Sequence, residues 1–275
     1  MLPDILILYI VLAPGLVALT GLVHKQIGDK VVMGLTTAVV LSAGALSLIQ
    51  LFAYVAGLGG HMGTEEHHAS LVAATTGMEI KQHVITLMPW ISVGEFQANW
   101  AIRVDTLSIV MMAVITGVSG LVHLYSWGYM SEDPHKARFF SYLSLFTFMM
   151  LMLVTADNFI QLFFGWEGVG LASYLLIGFW YQNKAPNDAS IKAFVTNRVG
   201  DFGLALGIMA VFFVFRSVEF GPVLDAVRNN AAVVPVGFAE AAPVRDLVIP
   251  FLHWNLNALE VIGVLLFIGA MGKSA

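Results

Sequence analysis

Residues 158–180, NFIQLFFGWEGVGLASYLLIGFW, are almost entirely apolar and contain a single carboxylate, Glu167. A helix needs about 20 mostly apolar residues to cross the ~30 Å hydrocarbon core of a bilayer, and this stretch has that length. Glu167 lies nine residues from one end of the stretch and thirteen from the other, which is roughly 14 Å and 20 Å at 1.5 Å per residue. The stretch therefore predicts a transmembrane helix that carries an acid near the bilayer midplane.

The rest of the chain has the same apolar character. Hydrophobic residues make up 58 % of the 275 positions and charged residues only 11 %, whereas about a quarter of the residues of a soluble domain are charged. Six further apolar stretches lie at 4–23, 31–56, 105–127, 138–156, 190–215 and 258–275. Because lipid offers backbone groups no hydrogen-bond partner, the pattern predicts an all-α, polytopic bundle of about seven membrane spans.

Composition also excludes several functions. The net charge is −5 without any basic cluster, so no nucleic-acid partner is expected. The chain has no cysteine, which rules out disulfides, cysteine-ligated iron–sulfur clusters and c-type haem attachment. No cofactor or metal site is predicted. A polar run is interpreted as a flexible loop and not as a metal cluster, and it contains His61, Glu65, Glu66, His67 and His68.

Positive residues indicate the topology, because short cytoplasmic loops are enriched in lysine and arginine. The short connections after the first, third and fifth predicted spans carry Lys25, Lys30, Lys136, Arg138, Lys184 and Lys192. We therefore expect the N-terminus outside, without a cleaved signal peptide. The two long segments, 57–104 and 216–257, then lie on the outer side.

Both outer segments show local order. Residues 80–87 and 95–102 have the composition and alternation of strands, which predicts a β-hairpin with a turn around Pro89 and Gly94. Residues from Pro222 onward alternate with the period of a short amphipathic helix that lies on the surface.

Four charged residues fall inside predicted spans: Glu167, Arg198, Asp201 and Lys273. Unpaired at mid-bilayer, they would together cost roughly 10–14 kcal/mol, so they should face the bundle interior. Arg198 and Asp201 are three residues apart and share a helix face; a purely structural ion pair is as reasonable for Arg198 as a functional role. Glu167 and Lys273 have no partner on their own helices, and such residues usually serve function.

A buried acid and a buried base on different helices can exchange protons. Burial disfavours the charged form of each group, and an opposite charge nearby favours it. We therefore hypothesise that movement or neutralisation of Glu167 promotes proton release from Lys273. His123 is interpreted as a packing residue in preference to a relay member.

Glycines accompany these charges: Gly165, Gly168, Gly170, Gly200, Gly203, Gly269 and Gly272. Small residues let membrane helices approach closely. Gly269 and Gly272 are also expected to weaken the seventh helix near Lys273, since broken helices recur at transporter midplanes.

Three segments resemble, in family order, the antiporter-like L subunit of respiratory complex I (NADH:quinone oxidoreductase). They are 156–178 with its Trp166-Glu167 pair, 192–201 with Arg198 and Asp201, and 272–275 with Lys273. The resemblance extends along the whole chain. It implies a truncated antiporter-like fold: residues 1–137 form N-terminal helices with the outer hairpin, and 138–275 begin the first helix repeat.

The resemblance further implies a proton-translocating subunit in which Glu167, Lys273, Asp201 and Arg198 serve translocation. Its partners would be other membrane-arm subunits, the lipid bilayer and protons, with no direct binding of NADH or quinone. The expected location is a bacterial inner membrane, with the mitochondrial inner membrane as the alternative. Two other functions stay open: the large subunit of a multisubunit sodium/proton antiporter, and a structural scaffold.

Overall fold

The computed structural model describes residues 2–56, 82–237, 240–251 and 254–274. Its helices are α1 (Asp4–Ala18), α2 (His24–Ile27), α3 (Asp29–Val55), α4 (Thr106–Tyr129), α5 (Lys136–Val154), α6 (Phe159–Ile177), α7 (Lys184–Phe215), α8 (Phe220–Arg228) and α9 (Ala258–Ser274). Its strands are β1 (His83–Val93), β2 (Phe96–Val104), β3 (Ala232–Val233), β4 (Ala242–Pro243), β5 (Val248–Phe251) and β6 (Trp254–Asn257). The run from His61 to His68 lies outside the described residues.

The predicted transmembrane bundle is confirmed. Within the described ranges, six helical stretches are long and apolar enough to cross a bilayer: Asp4–Ile27, Asp29–Val55, Thr106–Tyr129, Lys136–Val154, Phe159–Ile177 and Lys184–Phe215. The seventh predicted span is helical as α9, which has 17 residues. That is shorter than the length of about 20 residues that a spanning helix needs, so the seventh crossing stays a prediction.

Helix α7 begins six residues earlier than predicted, so the expectation that Lys184 lies in a loop is wrong. Pro186 is the third residue of the helix, and proline is tolerated in a first turn because the N–H it lacks has no helical partner there. The polar residues of this turn hid the helix from a search for apolar runs.

The described residues divide into two compact units, Met1–Ile85 with Ile102–Thr155, and Thr86–Ala101 with Ala156–Ala275. The first contains helices α1, α3, α4 and α5, packed against one another. Hydroxyls buried among them bond to their own helices; Thr116 Oγ1, for example, donates to the Met112 carbonyl at 2.6 Å. The boundary predicted at residues 137 and 138 stays a prediction.

His123 is fully buried in the first unit. Its Nδ1 donates to the Ser119 carbonyl oxygen at 2.8 Å, and its Nε2 lies 3.0 Å from Ser144 Oγ on α5. Both ring nitrogens therefore have partners, which favours the interpretation of His123 as a packing residue.

The predicted hairpin is present, formed by β1 and β2 around Gly94 and Glu95. Gly94 has a φ of 58°, a left-handed conformation that glycine adopts without steric cost. Pro89, however, lies within β1, so its placement in the turn was wrong. A two-stranded sheet leaves each strand with a free edge, where a residue without an N–H is tolerated.

The second long segment, 216–257, contains the predicted amphipathic helix as α8. Val223 is buried, whereas Asp225 and Arg228 form an exposed ion pair at 4.0 Å. Two antiparallel strand pairs, β3 with β4 and β5 with β6, follow it. These strands have two to four residues each. Such short strands could not be predicted from an alternation of polar and apolar residues.

Helix α4 begins with a reciprocal cap that gives a testable expectation. The Ser108 N–H donates to Asp105 Oδ1 at 2.8 Å, and the Asp105 N–H donates to Ser108 Oγ at 2.7 Å. Asp105→Ala should lower the free energy of unfolding by about 1 kcal/mol, whereas Asp105→Asn should cost little, because asparagine caps equally well. Denaturant unfolding in detergent measures both variants; equal losses in the two would contradict the role of the cap.

Candidate functional site

The four predicted charged residues lie on three helices of the second unit. Glu167 is near the middle of α6, Arg198 and Asp201 are near the middle of α7, and Lys273 is in the last turn of α9. Helix α7 packs against both α6 and α9. The helix packing therefore brings acids and bases from distant parts of the sequence to one place.

Arg198 is the cation that two carboxylates share. Its Nη1 forms an ion pair and hydrogen bond with Glu167 Oε2 across the α6–α7 interface. The same nitrogen lies 3.7 Å from Asp201 Oδ2, one turn along α7. The predicted pairing of Arg198 with Asp201 is thus present, and Glu167 joins it from the neighbouring helix.

Burial differs among these groups. The Asp201 side chain is 7 % exposed, that of Glu167 is 22 % exposed and that of Arg198 is 45 % exposed. A buried carboxylate is costly unless hydrogen bonds and opposite charge stabilise it. Asp201, the most buried of the three, therefore depends most on its partners.

Trp166 provides the short contact to Asp201. Its indole Nε1 donates to Asp201 Oδ1 at 2.7 Å. The backbone carbonyl of Trp166 accepts a hydrogen bond from Lys273 Nζ, and this ammonium lies 4.5 Å from the centre of the indole ring. One residue of α6 thus contacts the acid of α7 and the base of α9.

Glu167 and Lys273 are not in direct contact. Across the part of the chain that the structure describes, no carboxylate lies within 4.0 Å of Lys273 Nζ. The connection between the two runs from Lys273 through Trp166, Asp201 and Arg198 to Glu167. We call this series of contacts the polar chain.

The polar chain has no net charge when all its groups are ionised, because two carboxylates balance one guanidinium and one ammonium. Such compensation is what intramembrane charges require. Glu167 Oε1 is buried and has no hydrogen-bond partner among the described residues. That oxygen therefore has the capacity to accept a further hydrogen bond or a proton.

Trp166 is the member of the polar chain that is not among the site residues predicted from the sequence. The signal available was an indole N–H near mid-span, far from the interfaces where tryptophans usually lie. Such an N–H needs a buried acceptor. The hydrogen bond from Lys273 to the Trp166 backbone carbonyl could not be predicted from the sequence, because every residue has a backbone carbonyl.

Glycines bring α7 and α9 into backbone contact beside the charges. A Cβ added at Gly200 would lie 2.8 Å from Gly272 Cα, and one added at Gly272 would lie 2.7 Å from Gly200 Cα. These glycines directly precede Asp201 and Lys273. The expectation that glycines allow close helix approach is confirmed at this contact.

Helix α9 continues through Gly269 and Gly272, so no break occurs there within the described residues, and the expected weakening stays a prediction. Each glycine costs only about 1 kcal/mol relative to alanine within a helix. A Cβ at Gly269 would lie 2.6 Å from Leu204 Cβ, so both glycines serve the contact with α7 and the packing offsets their cost.

Two family models match this chain. The first, "NADH-Ubiquinone oxidoreductase (complex I), chain 5 N-terminus", matches residues 90–140, and the second, "NADH:quinone oxidoreductase/Mrp antiporter, TM", matches residues 156–275. Together they match more than half of the chain. The chain belongs to the family of antiporter-like membrane subunits that includes subunit L of complex I.

Individual relatives agree with this assignment. NADH-quinone oxidoreductase subunit L of Rhodobacter capsulatus is 54 % identical over 201 residues, which are 70 % of this chain and 26 % of the relative. The subunit L of Rickettsia bellii is 42 % identical over 271 residues, 98 % of this chain and 36 % of the relative. NADH-ubiquinone oxidoreductase chain 5 of Arabidopsis thaliana is 53 % identical over 191 residues, 70 % of this chain and 26 % of the relative.

The chain thus spans between 26 % and 36 % of the length of these relatives. Among solved structures, the Mrp complex from Dietzia sp. DQ12-45-1b has a chain that is similar with a TM-score of 0.67 and 20 % identity. That match covers 98 % of this chain and 24 % of the other. At this identity it supports the antiporter-like fold alone.

The glycine contact predicts a stability difference between two variants of α9. Gly272→Ala places a methyl group against Gly200 and should lower the free energy of unfolding by about 1–3 kcal/mol, as overpacking does. Gly263→Ala is the matched control, because a Cβ there meets no heavy atom within 4 Å. Denaturant unfolding in detergent compares the two variants. An unchanged free energy of unfolding in Gly272→Ala would contradict the close contact between α7 and α9.

Proposed function

We propose that this chain is part of a proton-translocating, subunit L type membrane subunit of complex I, in which the polar chain carries out one step of proton transfer. The observation that supports the proposal is the continuous series of contacts from Lys273 on α9 to Glu167 on α6. Ionisable groups within a membrane are costly and usually mark ion pathways. In this structure, the charged side chains of the polar chain contact one another directly or through Trp166.

Charge balance provides the coupling between the two ends. When Lys273 Nζ releases a proton, the polar chain is left with one excess negative charge. That excess favours uptake of a proton elsewhere in the chain, because uncompensated charge is expensive in a water-poor interior. Glu167 Oε1 has no hydrogen-bond partner among the described residues and can accept that proton. Proton release from Lys273 therefore promotes proton binding at Glu167.

Arg198 can set the direction of this exchange. In the observed arrangement it is hydrogen-bonded to Glu167 and lies 3.7 Å from Asp201. A shift of the guanidinium toward Asp201 would remove the counter-charge of Glu167 and favour its neutral, protonated form. The arginine therefore acts as a switch between two carboxylates, beyond its structural pairing within α7.

The proposed subunit has no redox role of its own. Electron transfer from NADH to quinone would take place in other subunits, and this chain would contribute to the translocase as a membrane-arm subunit without binding either substrate. We propose the orientation with the N-terminus outside. The location would be a bacterial inner membrane or, as the alternative, the mitochondrial inner membrane, since relatives of both kinds exist.

Substitution of the two ends of the polar chain tests the proposal in sealed vesicles that contain the assembled complex. Lys273→Ala and Glu167→Gln should each lower the number of protons translocated per NADH oxidised, while NADH oxidation reports assembly. Lys192→Ala is the matched control, because this lysine is exposed on α7 and has no ion pair among the described residues. Unchanged proton stoichiometry in both variants would favour a structural scaffold.

The sodium/proton antiporter is the second candidate, because one matching family model and the similar solved structure both include Mrp proteins. Affinity purification from native membranes separates the two functions. Recovery of flavin and iron–sulfur subunits supports complex I, whereas recovery of antiporter subunits alone would overturn it.

A further inference from the structure

We infer that Trp166 is a positioning residue, which holds the acid Asp201 with its indole N–H and the base Lys273 with its carbonyl and ring. This inference rests on the proposed function, because it assigns Trp166 a part in the same proton transfer. It adds a neutral residue to a set of groups otherwise recognised by their charge.

The first half of the argument concerns Asp201. This carboxylate is 7 % exposed, and its ion pair with Arg198 at 3.7 Å is longer than a hydrogen bond. The indole N–H of Trp166, by contrast, donates to Asp201 Oδ1 at 2.7 Å, a distance typical of a hydrogen bond. By satisfying Asp201, Trp166 leaves the guanidinium of Arg198 free to bond to Glu167.

The second half concerns Lys273. Its ammonium donates to the Trp166 carbonyl and lies 4.5 Å from the ring centre, within the range of a cation–π interaction. A Cβ at Gly170 would lie 3.4 Å from Lys273 Nζ, so the glycine one turn after Trp166 leaves room for the ammonium. Trp166 thus stabilises a cation that forms no ion pair within 4.0 Å among the described residues.

The two functions of the indole are geometrically linked. The bond from Nε1 to Asp201 fixes the orientation of the ring, and the ring in turn lies against the ammonium. Loss of the N–H bond therefore frees the ring as well as the carboxylate. If Trp166 acts through Asp201, the effects of replacing Trp166 and of removing the Asp201 charge should not add in a double variant.

The test compares Trp166→Phe, which keeps a ring but removes the N–H, with Trp166→Leu, which removes both, in the assembled complex. Trp127→Phe is the matched control, because Trp127 Nε1 also donates to a side chain, Thr37 Oγ1, at 2.9 Å. Difference infrared spectra report the carboxylate stretch of Asp201, which Asp201→Asn identifies. Proton translocation per NADH is measured alongside.

We expect the Asp201 band to shift in both Trp166 variants and to stay in place in Trp127→Phe. Trp166→Phe should lower the proton-to-NADH ratio, and Trp166→Leu should lower it further. The double variant with Trp166→Phe and Asp201→Asn should have the same ratio as Asp201→Asn alone. An unshifted band, a wild-type ratio in both Trp166 variants, or additive losses would overturn the inference. A wild-type ratio in Asp201→Asn and Lys273→Ala would instead overturn the proposed function.

Discussion

The ion pair between Arg198 and two carboxylates is the interaction on which the second unit depends. Lipid offers no water to neutralise a charge, so each charged side chain has to find compensation within the protein. One guanidinium shared by α6 and α7 provides it for Glu167 and Asp201. With Lys273 connected through Trp166, the arrangement is neutral as a whole, and the position of every member is constrained by the others.

Close packing makes that arrangement possible. Polar side chains on three helices meet only where the helices approach closely, and the backbones of α7 and α9 touch at Gly200 and Gly272. The residues after these glycines carry the acid and the base. The sequence therefore places each charge next to the residue that determines the local helix separation.

The charged members of the site could be predicted because a charge within an apolar run is conspicuous. Glu167, Arg198, Asp201 and Lys273 stand out in this way, and their role in proton translocation stays a prediction. Their connectivity could not be predicted, because it passes through a backbone carbonyl and an indole of Trp166. Hydropathy likewise located the helices but not their polar ends, which is why the start of α7 at Lys184 was missed.

The length of α7 has a consequence for the depth of these charges. Its 32 residues extend about 48 Å, well beyond the ~30 Å apolar layer, so the helix has to tilt or protrude. Its N-terminal end, which carries Lys184, Asp188 and Lys192, is the end suited to the headgroup region, where long basic side chains reach water. Arg198 follows Lys192 by six residues, about 9 Å along the axis. From that side, the apolar layer above Arg198, the first charge of the polar chain, is thus only about a third of the membrane's apolar thickness.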